Sequence, residues 1–339
     1  MTKLKVLELF AGIGACSKAL ERLGIEHEIV DAVEIDKYAI NSFNAIHNTN
    51  FQTQDVCLWD KDIEVDLITH GSPCQDFSLA GKQAGGDIGS GTRSSLMYET
   101  IRIVGKLRPK YVIWENVKNL LSKKHIHNFN AYLETMKNLG YTNYYQVLNA
   151  KDYGVPQNRE RVFTVSILGN ENYEFPPKKE LKLKLKDILE DEVDEKYYLS
   201  NLAVERINRH NNKIMREDAP CISNTIHAGY YKGGGRDQQY WKEDFPKILD
   251  DRDKGWGIKI TNICPTQRAS RSGIKCIDRN FRIRRLTPRE CWRLMGFDDK
   301  DFEKAAEVNS NTQLYKQAGN SIVVNVLGAI FKNLLSGSK

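Results

Sequence analysis

No two cysteines of this 339-residue chain form a C-x-x-C pair, so the common ligand spacing of a zinc site is missing. The seven cysteines are an odd number, which suits free thiols in a reducing compartment better than a disulfide framework. No apolar run approaches the roughly 20 residues that cross a bilayer, and no signal-peptide pattern opens the chain. The expectation is a soluble, cytoplasmic protein. Internal repeats and long low-complexity tracts are lacking as well, which excludes a solenoid.

The composition that remains is that of an ordinary globular protein, 40% hydrophobic and 28% charged, with length enough for two domains. A formal net charge of +6 is compatible with a polyanionic partner without establishing one.

The stretch Gly71-Ser72-Pro73-Cys74-Gln75 follows an apolar run, Asp66-Leu67-Ile68-Thr69-His70, that reads as a short buried strand. Open α/β sheets put their chemistry beyond the carboxyl ends of their strands. Cys74 is therefore a candidate nucleophile, set against the commoner case of an inert buried cysteine.

Upstream, Lys3 to Phe10 reads as a first strand, Ala11-Gly12-Ile13-Gly14 as a turn, and Cys16 to Leu23 as a helix closed by Gly24. A second strand, Glu28 to Ile35, delivers Glu34 to its end. Glu34 follows Gly12 by about the ~20 residues that separate a glycine turn from a ribose-binding acid. The pattern is G-x-G-x-x-S, without the third small residue of the dinucleotide fingerprint. A glycine turn serving the backbone alone is the bland alternative; Glu34 favours an adenosine-type cofactor.

Helix-strand alternation continues to about residue 168. Helices are expected over Lys37 to Ile46, Arg93 to Leu107 and Asn128 to Leu139, and strands over Tyr111 to Trp114, Tyr144 to Leu148 and Val162 to Leu168. Such alternation predicts an α/β fold with a doubly wound, mainly parallel sheet. The glycine-rich segment 79–92 reads as a loop able to act as a lid. Near residue 175 the texture changes, and from 197 to about 277 Gly, Tyr, Lys, Arg and Asn become frequent on irregular backbone. Leu286 to Glu290 opens a helix with Thr287 as cap and Pro288 at its first position. An apolar helix, Ile322 to Leu335, is expected to pack back on the first sheet.

Taken together, Phe10-Ala11-Gly12-Ile13-Gly14, Glu34, Pro73-Cys74-Gln75, Glu115-Asn116-Val117, Gln157-Asn158-Arg159-Glu160-Arg161, Arg285 to Glu290 and Gly319-Asn320-Ser321 resemble, in order, the C5-cytosine DNA methyltransferase family. The resemblance covers nearly the whole chain. It implies methyl transfer from S-adenosylmethionine to C5 of a cytosine flipped out of a specific double-stranded DNA sequence, with Cys74 bonding C6. It assigns Glu115 to the N3/N4 edge of the base, Arg161 to O2, and Arg159 to the support of the same site. It assigns Phe10, Gly12, Gly14, Pro73, Asn320 and Ser321 to the cofactor, Glu34 to its ribose, Ile35 to a face of adenine and Asp55 to the adenine amino group. Residues 1–190 and 320–339 would form the catalytic, cofactor-binding domain, and 191–319 a smaller domain with target recognition in about 197–280. Lys232, Arg236, Arg268 and Arg271 are the expected DNA contacts. A monomer is expected, accompanied where a restriction system exists by a separately acting endonuclease.

Two departures from the family pattern stand out: Ala15 replaces a further glycine, and Ala80 stands where some members have a serine that fills the gap left by the flipped base. Three rival readings exist. A tRNA cytosine methyltransferase of the same superfamily fits less well with a long basic recognition region. A nicotinamide-dependent oxidoreductase leaves Pro-Cys-Gln and Glu-Asn-Val unexplained. A catalytically silent DNA-binding module would have no use for Cys74.

Overall fold

The computed structural model describes residues 3–72, 96–200 and 284–336, together with the backbone of short strands between the last two. The chain divides into two compact units. One comprises Met1–Leu148, Glu160–Pro177 and Val324–Lys339; the other comprises Asn149–Arg159 and Lys178–Val323. The second unit thus joins the short segment 149–159 to residues 178–323.

The first unit is an α/β layer structure. Strand β1 (Leu4–Leu9) runs parallel to β2 (His27–Val33) on one side and to β3 (Leu67–His70) on the other, and β3 runs parallel to β4 (Tyr111–Val117). Beyond them lie β5 (Tyr141–Asn149) and β7 (Glu160–Leu168), in the order β2-β1-β3-β4-β7-β5. The sheet is parallel through β4 and turns antiparallel at β7. The order reverses between β1 and β3, and such a switch leaves a crevice beyond the carboxyl ends of those strands.

Burial explains the strands. Leu7, Leu9, Ile68, Val112 and Trp114 are almost fully buried and share one core with Ile103 and Val104 of α3 (Met97–Leu107) and Phe129, Tyr132 and Met136 of α4 (Ile126–Asn138). A second cluster joins Ala32 on the sheet to Ile40 and Phe43 of α2 (Lys37–His47), whose first turn is capped by the Asp36 side chain. Helix α1 (Ala15–Arg22) packs against the last helix, α8 (Val324–Ser336), and Arg22 donates to Asn325 Oδ1 at 3.3 Å.

The strand β4 is longer than its apolar run suggests. Glu115 and Val117 lie in register with Phe163 and Arg161 of β7, so the antiparallel pairing carries β4 through Val117. Glu115 and Arg161 therefore stand on strands, where the sequence pattern put them in connections.

In the second unit the described backbone forms an antiparallel sheet in the order β10 (Gly257–Thr261), β9 (Ile248–Asp253), β11 (Lys275–Ile277), β12 (Ile283–Arg285). Separately, β6 (Gln157–Asn158) pairs in parallel with β8 (Ser223–Asn224). Helix α5 (Pro288–Arg293) begins with the expected Thr287 cap, completed into a capping box by Glu290. Glu290 also holds the buried Arg284 through two hydrogen bonds of 2.8 and 2.7 Å. Trp292 packs on Phe302 of α6 (Asp299–Val308) and donates to the Leu314 carbonyl of α7 (Asn311–Asn320) at 2.9 Å.

Residues Asn311–Leu335 are, among the described residues, apolar and long enough to cross a membrane. They form two helices, α7 and α8, interrupted at Ser321, and Leu314, Ala318, Leu327, Ile330 and Phe331 are buried in the protein.

Candidate active site

Beyond β1 the backbone takes left-handed conformations at Phe10 (φ 53°), Gly12 (φ 58°) and Gly14 (φ 80°). Phenylalanine tolerates that region poorly, and such strain concentrates at functional turns. At Gly14 a Cβ would stand 2.1 Å from Nε2 of His47, so the last residue of α2 occupies the space a side chain would need. At Gly12 a Cβ would meet nothing within 4 Å, which leaves open space over the turn.

Glu34 follows β2 immediately. Its carboxylate accepts from the Gly12 amide at 2.9 Å and from the Asp36 amide at 2.8 Å, one bond to each oxygen. Each oxygen keeps a lone pair for a further donor such as a ribose hydroxyl. Burial pushes the Glu34 carboxyl up, against the pull of those backbone amides. Ile35 beside it is 70% exposed. Asp55 accepts from the Cys57 amide at 2.9 Å, and its loop is anchored by buried Asp31, which accepts from Trp59 Nε1 and Gln54 Nε2 at 2.8 Å each. An acid with paired acceptors, an exposed aliphatic face and open space over a glycine turn fit an adenosyl group.

Glu115 and Arg161 are brought together on neighbouring strands. Arg161 Nε lies 3.0 Å from Glu115 Oε1 in an ion pair largely shielded from water. The geometry does not align as a hydrogen bond, and among the described residues buried Oε1 accepts none.

Arg159 goes elsewhere. It is 4% exposed, and its guanidinium donates to the Ser321 carbonyl at 2.8 Å and more loosely to that of Gly319 at 3.4 Å. It fastens the end of α7, where Asn320 and Ser321 stand, in the second unit. Gln157 of the same motif donates to the Leu294 carbonyl at 2.6 Å.

Pro73, Cys74, Ala80 and the segment 79–92 lie outside the described residues, as do Lys232, Arg236, Arg268 and Arg271. The chain is described up to Ser72, whose hydroxyl accepts from Trp114 Nε1 at 3.1 Å.

Glu8, His47, Ser72 and Trp114 escaped the sequence pattern. Glu8 did leave a trace, an acid amid Val6-Leu7-Glu8-Leu9. Its carboxylate accepts from the amide and hydroxyl of Ser17 in the first turn of α1, where Gly14 supplies no side-chain cap. Burial raises the Glu8 carboxyl to about 7.

The description of the C-5 cytosine-specific DNA methylase family matches residues 4–336. Among curated proteins the chain is similar to the type II methyltransferase M2.ScrFI of Lactococcus lactis subsp. cremoris, at 38% identity over 98% of this chain and 99% of that one. It is 34% identical to the orphan methyltransferase M.SPRI of Bacillus phage SPR, covering 99% and 98%. It is 32% identical to the type II methyltransferase M.HhaI of Haemophilus parahaemolyticus, covering 98% and 95%. Among solved structures it resembles the Entamoeba histolytica methyltransferase EhMeth, with a TM-score of 0.72 at 18% identity over both whole chains. The Dnmt2 methyltransferase of S. pombe follows with a TM-score of 0.66 at 19% identity, covering 99% of this chain and 100% of that one, so both are likenesses of fold. A family match over nearly all its length, on a sheet whose strand ends carry this acid and this arginine, makes the chain a member of the C-5 cytosine-specific DNA methylases, an enzyme that methylates cytosine in DNA.

Proposed function

We propose that this enzyme uses S-adenosylmethionine to methylate one cytosine of a specific duplex sequence, with Cys74 as nucleophile and Glu115 and Arg161 holding the base. The observation that carries the reading is the buried Glu115 carboxylate held 3.0 Å from Arg161 on the neighbouring strand, with an oxygen that accepts no hydrogen bond among the described residues. Glu115 accepts from the N4 amino group of cytosine and, protonated, donates to N3; Arg161 donates to O2.

Cytosine C5 is too poor a nucleophile to take a methyl group directly. The Cys74 thiolate bonds C6, and the C5–C6 π electrons become available at C5. S-adenosylmethionine supplies an electrophilic methyl on its sulfonium. Once C5 carries the methyl, its proton is lost to a base, the double bond re-forms and the thiolate leaves. A cysteine of pKa ~8.5 is only slightly ionised at neutral pH, and Arg161 favours the anion. Phe10, Gly12, Gly14, Glu34, Ile35 and Asp55 hold the cofactor, with Pro73, Asn320 and Ser321 as further contacts. The hydrogen bonds of Arg159 support a different part for it, fixing the turn that carries Asn320 and Ser321.

In this reading the first unit is catalytic. Residues 197–280 read the DNA sequence through contacts that include Lys232, Arg236, Arg268 and Arg271. The enzyme works as a cytoplasmic monomer. A cognate endonuclease is a partner wherever it is encoded alongside, as the type II relatives suggest; the orphan relatives suggest that the methylase also acts alone.

Incubation with duplex DNA containing 5-fluorocytosine tests the mechanism, because fluorine cannot leave C5 as a proton does. The wild type should yield a covalent adduct by mass spectrometry, and Cys74→Ala none. Methyl incorporation into tRNA but not into duplex DNA would overturn the substrate, and normal turnover by Cys74→Ala the nucleophile.

A further inference from the structure

The carboxyl end of β3 is tied to β4 by side chains as well as by backbone. His70 closes β3 and stands opposite Trp114 in the parallel register, the two rings stacked with centroids 5.5 Å apart and planes within 6°. The Tyr132 hydroxyl lies 3.2 Å from His70 Nε2, and burial drives the His70 imidazole down to about 3, so the ring is neutral. Two residues on, Ser72 Oγ accepts from Trp114 Nε1 at 3.1 Å, and the Asn116 side-chain amide lies 3.5 Å from the Ser72 carbonyl. Ser72 is 4% exposed and Trp114 1%.

Packing alone does not require this. An apolar pair would leave no polar atom to satisfy, whereas burying an indole N–H without an acceptor is costly. Satisfied polar pairs in a core specify one arrangement over its neighbours. Here the arrangement joins the residue two positions before Cys74 to the residue immediately before Glu115.

We propose that Ser72 and Trp114 form a latch that holds the end of β3 in register with the Glu115 end of β4, which makes both of them positioning residues for methyl transfer. The proposal rests on Cys74 and Glu115 being the reacting pair. A displacement of about 1 Å between groups that must act together can cost on the order of 100-fold in rate.

The test is a mutant cycle read by single-turnover methyl transfer. Ser72→Ala and Trp114→Phe should each slow transfer roughly 10- to 100-fold, while KM for cofactor and for DNA stays within about threefold, as for a contact that acts on kcat. The double variant should be no slower than the slower single one, because both remove the same contact. Ser72→Thr, which keeps a hydroxyl, should recover most of the rate. Wild-type transfer by folded Ser72→Ala, or losses that multiply in the double variant, would overturn the latch. Should Trp114→Phe fail to fold, the pair Ser72→Ala and Ser72→Thr decides the matter. Cys74→Ala and Glu115→Gln are run alongside. If these two keep full turnover, the underlying site reading fails; if they lose it while Ser72→Ala does not, only the latch fails.

Discussion

Glu8 shows what a single buried acid does to a fold. It caps α1 from within the sheet, and its carboxyl is raised from the usual range to about 7. A carboxyl raised on folding binds a proton that the unfolded chain has already released, so its stabilisation is whole below about pH 4.5 and is lost as pH rises through 7. Urea unfolding at pH 5 and pH 8 should therefore show Glu8→Gln gaining on the wild type at the higher pH, by at most about 3 kcal/mol. Equal pH slopes for the two proteins would mean that Glu8 ionises normally. The glycines of the turn differ in the same concrete way. Gly14→Ala drives a Cβ into His47 at φ 80° and should destabilise by about 2 kcal/mol or more. Gly12→Ala carries the conformational strain of φ 58° but meets open space, so the fold should survive while calorimetry shows weakened S-adenosylmethionine binding.

Strands and helices decide which predicted residues meet. The succession of strands and helices along the first unit was legible from periodicity: α2, α4 and α5 lie within a few residues of their expected spans, and Thr287 caps as its motif requires. What periodicity could not convey is the direction of β7. A strand reads alike whichever way it runs, yet only the antiparallel pairing extends β4 through Glu115 and sets Arg161 across from Val117. Residues two apart in one strand share a face, so Arg159 and Arg161 would stand side by side if β7 ran through both; they part company because Arg159 precedes β7. The consequence is measurable. Arg159→Ala strips buried carbonyls of their charged donor and should lower stability by about 3 kcal/mol or more in denaturant titrations. Arg161→Ala should leave stability nearer the wild type and slow transfer instead. An Arg159→Ala protein of normal stability and no activity would return Arg159 to the base.

At the scale of the whole molecule, the proposed function assigns chemistry and reading to different parts of the chain. Of the residues that resemble the family's motifs, Glu34 follows β2, Glu115 to Val117 end β4, and Gly319 to Ser321 close α7. The region proposed to read the DNA, 197–280, holds none of the motif stretches named above. Exchanging residues 197–280 for those of a relative should move the methylated site while leaving the rate-determining groups in place. Bisulfite sequencing of DNA from expressing cells reads the outcome, and an unchanged site would mean that specificity resides elsewhere.

The packing of α8 on α1, with Arg22 reaching Asn325 across 303 positions of sequence, bears on how the protein is made. Translation proceeds from the amino end, so β1 to β4 leave the ribosome long before the helix that covers α1. The first unit must wait, with that apolar face uncovered, until the whole of the second has been synthesised. Closure over so long a loop is slow, and the waiting surface is prone to aggregation. A nascent chain is thereby kept from completing its first unit before the second has been made.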